Sequence, residues 1–422
     1  MSRRHWVLAG MAAGLASWAT PAVPRQLRAL AEADPSLREP VTWVPVTAQL
    51  LALARRSGSL HLPRRPLPGV VTETVVVPAA QGRPSVPVEV HRPEAGITAP
   101  AAALLWIHGG GYVMGDAAGA DDSCAEVVTT FGVPVLSVDY RLAPAHPFPA
   151  PRDDCHAALC WLLEHADELG VDPTRVVVGG DSAGGGLAAA LAQRATDEGL
   201  AVAFQLLLYP MLDDRTVLRS ARLDEWTLMW TPPSNRYGWA SYLQAEPGVG
   251  SPPPYAAPAR RTDLSGLPPA WIGVGDVDLF HAEDVDYANR LRAAGVECEL
   301  YVAKGMPHAM DRHDSSPVSA GFNASKLEAL RRAFFDWSAD HRPRHRRAWV
   351  RANPGQQRAA PWRALLQHLI EQVGRHRVQG AERSIDQLAL QHRRQPCPLG
   401  DVIVDHRAGG VHRLGQQQIG VR

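Results

Sequence analysis

Lysine is almost missing from this chain: Lys304 and Lys326 stand alone among 43 basic residues, and every other basic position is arginine. Acidic residues also number 43, so the formal net charge is zero and the chain as a whole is not built to hold a nucleic acid or an anionic surface. Cysteine is scarce. Cys124, Cys155, Cys160, Cys298 and Cys397 are odd in number and form no Cys-x-x-Cys, which excludes a disulfide framework and a zinc site of that type. No tight group of histidine, cysteine and carboxylate residues points to a metal, and neither metal nor cofactor is expected.

A long apolar run is also lacking. After Ser2-Arg3-Arg4-His5-Trp6 comes an uncharged, alanine-rich stretch to Ala22, too short and weakly hydrophobic for a stable membrane span. It reads either as a signal peptide of twin-arginine type, with small residues at Ala19 and Ala22, or as an N-terminal cap helix. The first implies export and the second a cytoplasmic protein; both stay open.

The zero net charge conceals an asymmetry. Residues 341–422 hold 15 arginines against 5 acidic residues, a net of +10, which leaves residues 1–340 at −10. The basic tail has scattered Arg, Gln, His and Gly and few sustained apolar faces, apart from a short amphipathic stretch from Trp362 to Val373. It is expected to be largely disordered, and to bind neither nucleic acid nor membrane.

What the chain does have is glycine in two informative places. Val177-Val178-Gly179-Gly180-Asp181-Ser182-Ala183-Gly184-Gly185 places Gly-x-Ser-x-Gly at the end of an apolar run and ahead of the helical pattern from Gly186 to Ala192. Strand, sharp turn carrying serine, then helix is a nucleophile elbow. About seventy residues upstream, the buried-strand pattern Ala103–Ile107 runs into His108-Gly109-Gly110-Gly111. Backbone N–H groups with no side chains over them suit a developing oxyanion. The N–H groups of Gly109, Gly110 and Ala183 are therefore expected to form the oxyanion hole, with His108 orienting the loop.

A serine nucleophile needs a base, and the base an orienting carboxylate. In this arrangement the chain order is serine, acid, histidine. Trp271–Gly275 reads as a strand with Asp276 and Asp278 just beyond it, and spacing leaves both as candidates. Leu300–Lys304 reads as another strand, and His308 on the following loop is the expected base, while His313 falls in a polar, solvated stretch.

From residue 101 onward, strands at 101–107, 134–138, 175–179, 204–209, 270–275 and 298–303 alternate with helices at 152–169, 185–198, 282–294 and 324–340. The fold class is therefore α/β: a mostly parallel, doubly wound sheet with helices on both faces. Residues 70–78 and 86–92 alternate as antiparallel edge strands do. Reactive groups then collect at the strand C-termini. An insert from Asp214 to Gly266 interrupts the alternation and carries Trp226, Trp230, Trp239, Tyr237 and Tyr242.

These motifs together resemble the hormone-sensitive-lipase-like α/β-hydrolases, the bacterial esterases and lipases with an HGGG loop. The matching segments are His108–Asp116, Val138–Pro144 with His146–Pro149, Gly180–Gly185, Asp278-Leu279-Phe280 ahead of Tyr287-Ala288, and Pro307-His308, and the likeness runs from about residue 25 to 340. The resemblance implies a catalytic triad of Ser182, Asp278 and His308, with its register favouring Asp278 over Asp276. It also implies a helical cap from about 24–66 and 214–266, and a pocket that Tyr112, Asp181, Trp226 and Trp230 help to line. The chain departs from the family at Ala145, where a glutamate is usual, and at Ala309-Met310, where Gly-Phe follows the histidine.

The expected activity is serine carboxylesterase, acting on small-molecule esters of short to medium acyl chains. Amide or N-acetyl hydrolysis by the same triad and a non-catalytic small-molecule binding module remain as alternatives. A homodimer is compatible with this reading.

Overall fold

The computed structural model describes residues 22–38, 67–80, 82–97, 100–223, 227–313 and 315–336. The unit Asn353–Arg422, the rest of the tail, the N-terminal stretch to residue 21 and residues 39–66 lie outside the described residues, as does Trp226. The expectations for a signal peptide, for a disordered tail and for most of the first cap segment, at 39–66, therefore fall there.

The strands are β1 (Val70–Val77), β2 (Val86–Pro93), β3 (Ala101–Ile107), β4 (Val135–Val138), β5 (Val171–Asp181), β6 (Phe204–Leu208), β7 (Ala270–Gly275) and β8 (Cys298–Ala303). They form one sheet in the order β1-β2-β4-β3-β5-β6-β7-β8. The β1–β2 and β2–β4 pairs are antiparallel, and every later pair is parallel.

The helices are α1 (Ala22–Glu32), α2 (Asp121–Phe131), α3 (Ala150–Glu164), α4 (Ala183–Glu198), α5 (Thr216–Leu223), α6 (Pro232–Leu243), α7 (His281–Ala293) and α8 (Pro317–Phe335). All seven residues of β3 are buried, as a strand covered on both faces demands. Its alternate side chains feed two cores. Ala103, Leu105 and Ile107 pack with α3, α4 and α7, whereas Ala102, Leu104 and Trp106 pack with α2 and α8. Cys124, Cys155, Cys160 and Cys298 are buried and unpaired, acting as small apolar side chains.

The insert folds as α5, α6 and the turn Pro258–Arg260. Thr231 starts α6 by accepting a hydrogen bond from the Ser234 N–H, with prolines in the first turn. Trp239 and Tyr242 are fully buried against Tyr112 and share the core that Ala103, Leu105 and Ile107 enter, so these aromatics are packing residues. Leu228 of the insert packs with Ala29, Leu30 and Ala33 at and just beyond the end of α1, joining the insert to the N-terminal helix. After α1, the Asp34 N–H donates to the Gly305 carbonyl (2.8 Å), and the Ser36 and Ser316 hydroxyls lie 2.8 Å apart. Both contacts grip the loop that carries His308. Among the described residues, no helix is long and apolar enough to cross a membrane.

Candidate active site

Parallel strands deliver their C-terminal ends to one edge of the sheet, and β3, β5, β7 and β8 each end in a loop with a residue of the expected site. At the end of β5 the chain turns through Ser182, at φ 55° and ψ −118°, straight into α4. A non-glycine residue in that region is strained and held by its surroundings. Two close approaches hold it here. A Cβ on Gly180 would lie 2.4 Å from the Ile107 carbonyl oxygen, and one on Gly184 would lie 2.0 Å from the same atom. Only bare glycines let β3 and the elbow approach this closely. The Ser182 hydroxyl makes no capping bond to α4 and is left for another partner.

That partner is His308. Its Nε2 lies 2.8 Å from Ser182 Oγ, and its Nδ1 lies 2.7 Å from Asp278 Oδ2. Asp278 Oδ1 accepts the Phe280 N–H at 2.9 Å, which fixes the carboxylate plane. All three residues are buried, so their mutual bonds act where water screens them little. The histidine ring is boxed edge-on by Tyr209 and Phe280, at centroid distances of 4.9 and 5.2 Å. Asp276 faces elsewhere: its Oδ1 accepts the Gly305 N–H at 2.5 Å. His313 contacts the Ser315 hydroxyl in an exposed position, away from the serine.

The glycine loop is pinned peptide by peptide. The His108 carbonyl accepts the Tyr140 hydroxyl at 2.9 Å, and the His108 ring stacks on Tyr140 at 4.2 Å. His108 Nδ1 reaches the Gly109 carbonyl at 2.8 Å, and burial lowers the pKa of this imidazole. A neutral ring donating through Nδ1 fits both facts. The Gly110 carbonyl accepts the N–H groups of Val113 and Met114, both at 3.1 Å.

This arrangement corrects one expected oxyanion donor. The Gly109 N–H donates to Asp181 Oδ1 at 3.0 Å, so it is committed to a carboxylate. Among the described residues, the N–H groups of Gly110, Gly111 and Ala183 donate to no other group. Gly110 adopts φ 119°, which glycine alone enters readily. The donor set the geometry offers is thus Gly110, Gly111 and Ala183. Counting glycines after the histidine cannot distinguish the first from the third, because the difference lies in which peptide each anchor turns.

The expected pocket residues divide. Trp230 does border the site: its indole covers Gly111, where a Cβ would meet the ring at 2.1 Å, and its centroid lies 6.4 Å from that of His308. Tyr112 is a correction. It stacks on Tyr242 at 4.1 Å and donates its hydroxyl to the Met211 carbonyl at 3.1 Å, so its side chain packs in the core and its hydroxyl is already engaged. Asp181 is a second correction, since it faces the oxyanion loop rather than an acyl pocket. Trp226 lies outside the described residues.

Tyr209 was not among the expected site residues. Its hydroxyl donates to the buried Asp311 carboxylate at 2.6 Å, bracing the ring that boxes His308. Its place in the first residue after β6, among the sheet's C-terminal ends, is the signal that marks it. Ala309, one of the two family departures beside the histidine, sits at φ 57°, a conformation suited to glycine. Among the described residues, no group of three or more His, Cys, Asp or Glu is placed to hold a metal ion.

Comparison with known proteins follows the same lines. Residues 104–312 match the family model described as alpha/beta hydrolase fold. Esterase LipI of Mycobacterium tuberculosis is 37% identical over 260 residues, spanning 60% of this chain and 80% of the relative. Ethyl acetate hydrolase of Pseudomonas putida is 37% identical over 245 residues, 55% of this chain and 73% of the relative. A solved bacterial heroin esterase superposes with a TM-score of 0.65 at 38% identity, covering 72% of this chain and 98% of that one.

Proposed function

The chain belongs to the α/β-hydrolase fold family, as a carboxylic ester hydrolase of the hormone-sensitive-lipase-like kind, and we propose that it acts as a serine carboxylesterase on short- to medium-chain esters through an acyl-enzyme. The observation that carries this reading is the unbroken chain from Ser182 Oγ through His308 to Asp278, with links of 2.8 and 2.7 Å.

In the proposed cycle, Ser182 attacks the ester carbonyl carbon while His308 Nε2 takes the hydroxyl proton. Asp278 holds the Nδ1–H tautomer and stabilises the imidazolium. The carbonyl oxygen gains negative charge and accepts the N–H groups of Gly110, Gly111 and Ala183. Ala183 opens α4, whose N-terminal dipole also favours that charge. His308 then returns its proton to the departing alcohol, and water, activated by the same imidazole, releases the acid. Removing one such donor typically costs about 3–4 kcal/mol of transition-state stabilisation.

The short-chain preference rests on Trp230 over Gly111 and on the likeness to a relative named for ethyl acetate. The test is hydrolysis of p-nitrophenyl esters from C2 to C16 by the wild type and Ser182→Ala. We expect a preference for C2–C8 and a variant retaining less than about one part in a thousand. A folded wild type that turns over none of these esters but cleaves p-nitroacetanilide would move the reading to amides.

A further inference from the structure

We propose that Asp181 is a positioning residue: its carboxylate ties the oxyanion loop to the nucleophile strand and so sets the distance between Ser182 and the loop's N–H donors. The inference rests on the serine-esterase reading and assigns one of its parts.

The argument starts from the loop's own weakness. Gly109, Gly110 and Gly111 have no side chains with which to hold a conformation, and φ is 119° at Gly110 and 60° at Gly111. Such a segment is ordered only by what grips its peptides. In a trans peptide the C=O and N–H point in opposite directions, so gripping one aims the other. His108 Nδ1 holds the Gly109 carbonyl at 2.8 Å, and this aims the Gly110 N–H. The Val113 and Met114 N–H groups hold the Gly110 carbonyl, and these aim the Gly111 N–H.

Both of those grips are internal to the loop. They shape it without locating it against Ser182. The peptide between His108 and Gly109 is gripped from outside at both ends, by Tyr140 on its carbonyl and by Asp181 on its N–H at 3.0 Å. Of these two, Asp181 is the residue bonded directly to Ser182. Its own backbone is paired with Leu208 of β6, and the Ser182 N–H donates to the Leu208 carbonyl at 2.9 Å. Strand, carboxylate and loop therefore form one short rigid bridge. Its tightness shows at Gly109, where a Cβ would lie 2.6 Å from Asp181 Oδ2 and 3.0 Å from the Asp181 carbonyl oxygen.

A negative charge beside an oxyanion hole would oppose the charge that forms there unless it were balanced. Burial raises the pKa of the Asp181 carboxyl, and Arg312, four residues beyond His308, is the strongest charge acting the other way, offsetting that burial in part. Its guanidinium is itself held by the Gly119 carbonyl at 3.1 Å.

The experiment compares Asp181→Ala and Asp181→Asn with the wild type for kcat and KM on p-nitrophenyl butyrate and for inhibition by an alkyl trifluoromethyl ketone, which adds to a serine to give a tetrahedral oxyanion. Asp181→Ala should lower kcat about 100-fold, the scale of a misplaced donor, with KM within about threefold, and should weaken the ketone by a similar factor. Asparagine keeps an Oδ1 acceptor for the Gly109 N–H, so Asp181→Asn should stay within about tenfold of wild type on both measures. A merely structural role would move melting temperature and leave ketone affinity tracking KM. The proposal is overturned if Asp181→Ala keeps ketone affinity within twofold, or if asparagine restores nothing over alanine. If alanine prevents folding, asparagine alone decides: a folded Asp181→Asn with ketone affinity reduced more than 100-fold also overturns it. Labelling of wild-type Ser182 by a fluorophosphonate separates the two failures, because an unlabelled, inactive wild type would overturn the serine-esterase reading itself.

Discussion

Replacing Asp278 with asparagine tests the triad through a single proton. Asp278 Oδ1 accepts the Phe280 N–H at 2.9 Å, while Oδ2 faces His308 Nδ1 at 2.7 Å. An asparagine can satisfy the Phe280 N–H only by placing its oxygen there, which turns its NH2 toward His308. The imidazole must then accept at Nδ1 and carry its proton on Nε2. Nε2 is the atom that lies 2.8 Å from Ser182 Oγ, so the ring can no longer take the serine proton. The opposite rotamer would set NH2 against a backbone N–H and leave that buried donor unpaired, at about 1–3 kcal/mol. Either way the imidazolium loses its counter-charge. The same change in a serine-protease triad lowers kcat about 10⁴-fold, which is about 5 kcal/mol of barrier. We expect kcat of Asp278→Asn on p-nitrophenyl butyrate at pH 7 to fall by that order, with KM and melting temperature little moved. Asp276→Asn, whose carboxylate serves the Gly305 N–H, should keep kcat within about tenfold. A folded Asp278→Asn with more than a tenth of wild-type kcat would refute the assignment of Asp278 as the orienting acid.

Three further outcomes follow from the packing. Burial raises the Glu283 carboxyl from 4.5 to about 8, so the folded chain keeps a proton that the unfolded chain releases near pH 4.5. Stability should therefore fall as pH rises from about 4.5 through 8, by on the order of a few kcal/mol. Glu283→Gln can still accept from Leu212 and Asp213 and should flatten the melting temperature between pH 5 and 9; an unchanged slope would count against a protonated Glu283. Trp230→Leu uncovers Gly111 and should raise the C8-to-C2 activity ratio about tenfold, the worth of one or two methylenes of new contact, whereas an unchanged profile would mean that Trp230 does not bound the pocket. Ala309→Gly should relieve the 57° φ and stabilise the fold by about 0.5–1 kcal/mol in denaturant titration; a destabilisation of that size would mean the backbone there is unstrained.

Much of the molecule was legible as periodicity. Strands β3, β7 and β8 begin and end at the expected residues, because short apolar runs bounded by turns leave few choices of register. Helix α2 escaped notice, and the two insert helices were expected only as part of a helical segment from about 214 to 266, without bounds of their own. In Asp121–Phe131 the apolar stripe of Cys124, Val127, Val128 and Phe131 spans only two turns and is interrupted by acids and threonines, while Pro232–Leu243 is buried on several sides and shows no single clean face.

Ser182 and His308 could be singled out from local sequence because each is tied to its own turn: a glycine-flanked elbow, and the loop after a strand. Asp278 needed the register of its segment, since Asp276 has the same chemistry two residues away. Whether the three meet, at 2.8 and 2.7 Å, was decided by the order and parallel pairing of β5, β7 and β8, which bring together residues up to 126 positions apart. The identity of the free oxyanion donors, the turning of Tyr112 into the core and the reach of Asp181 to Gly109 depended on tertiary structure alone. A sequence names which backbone N–H groups and side chains exist, but where each points is set by the carbonyls, rings and strands that fold against it.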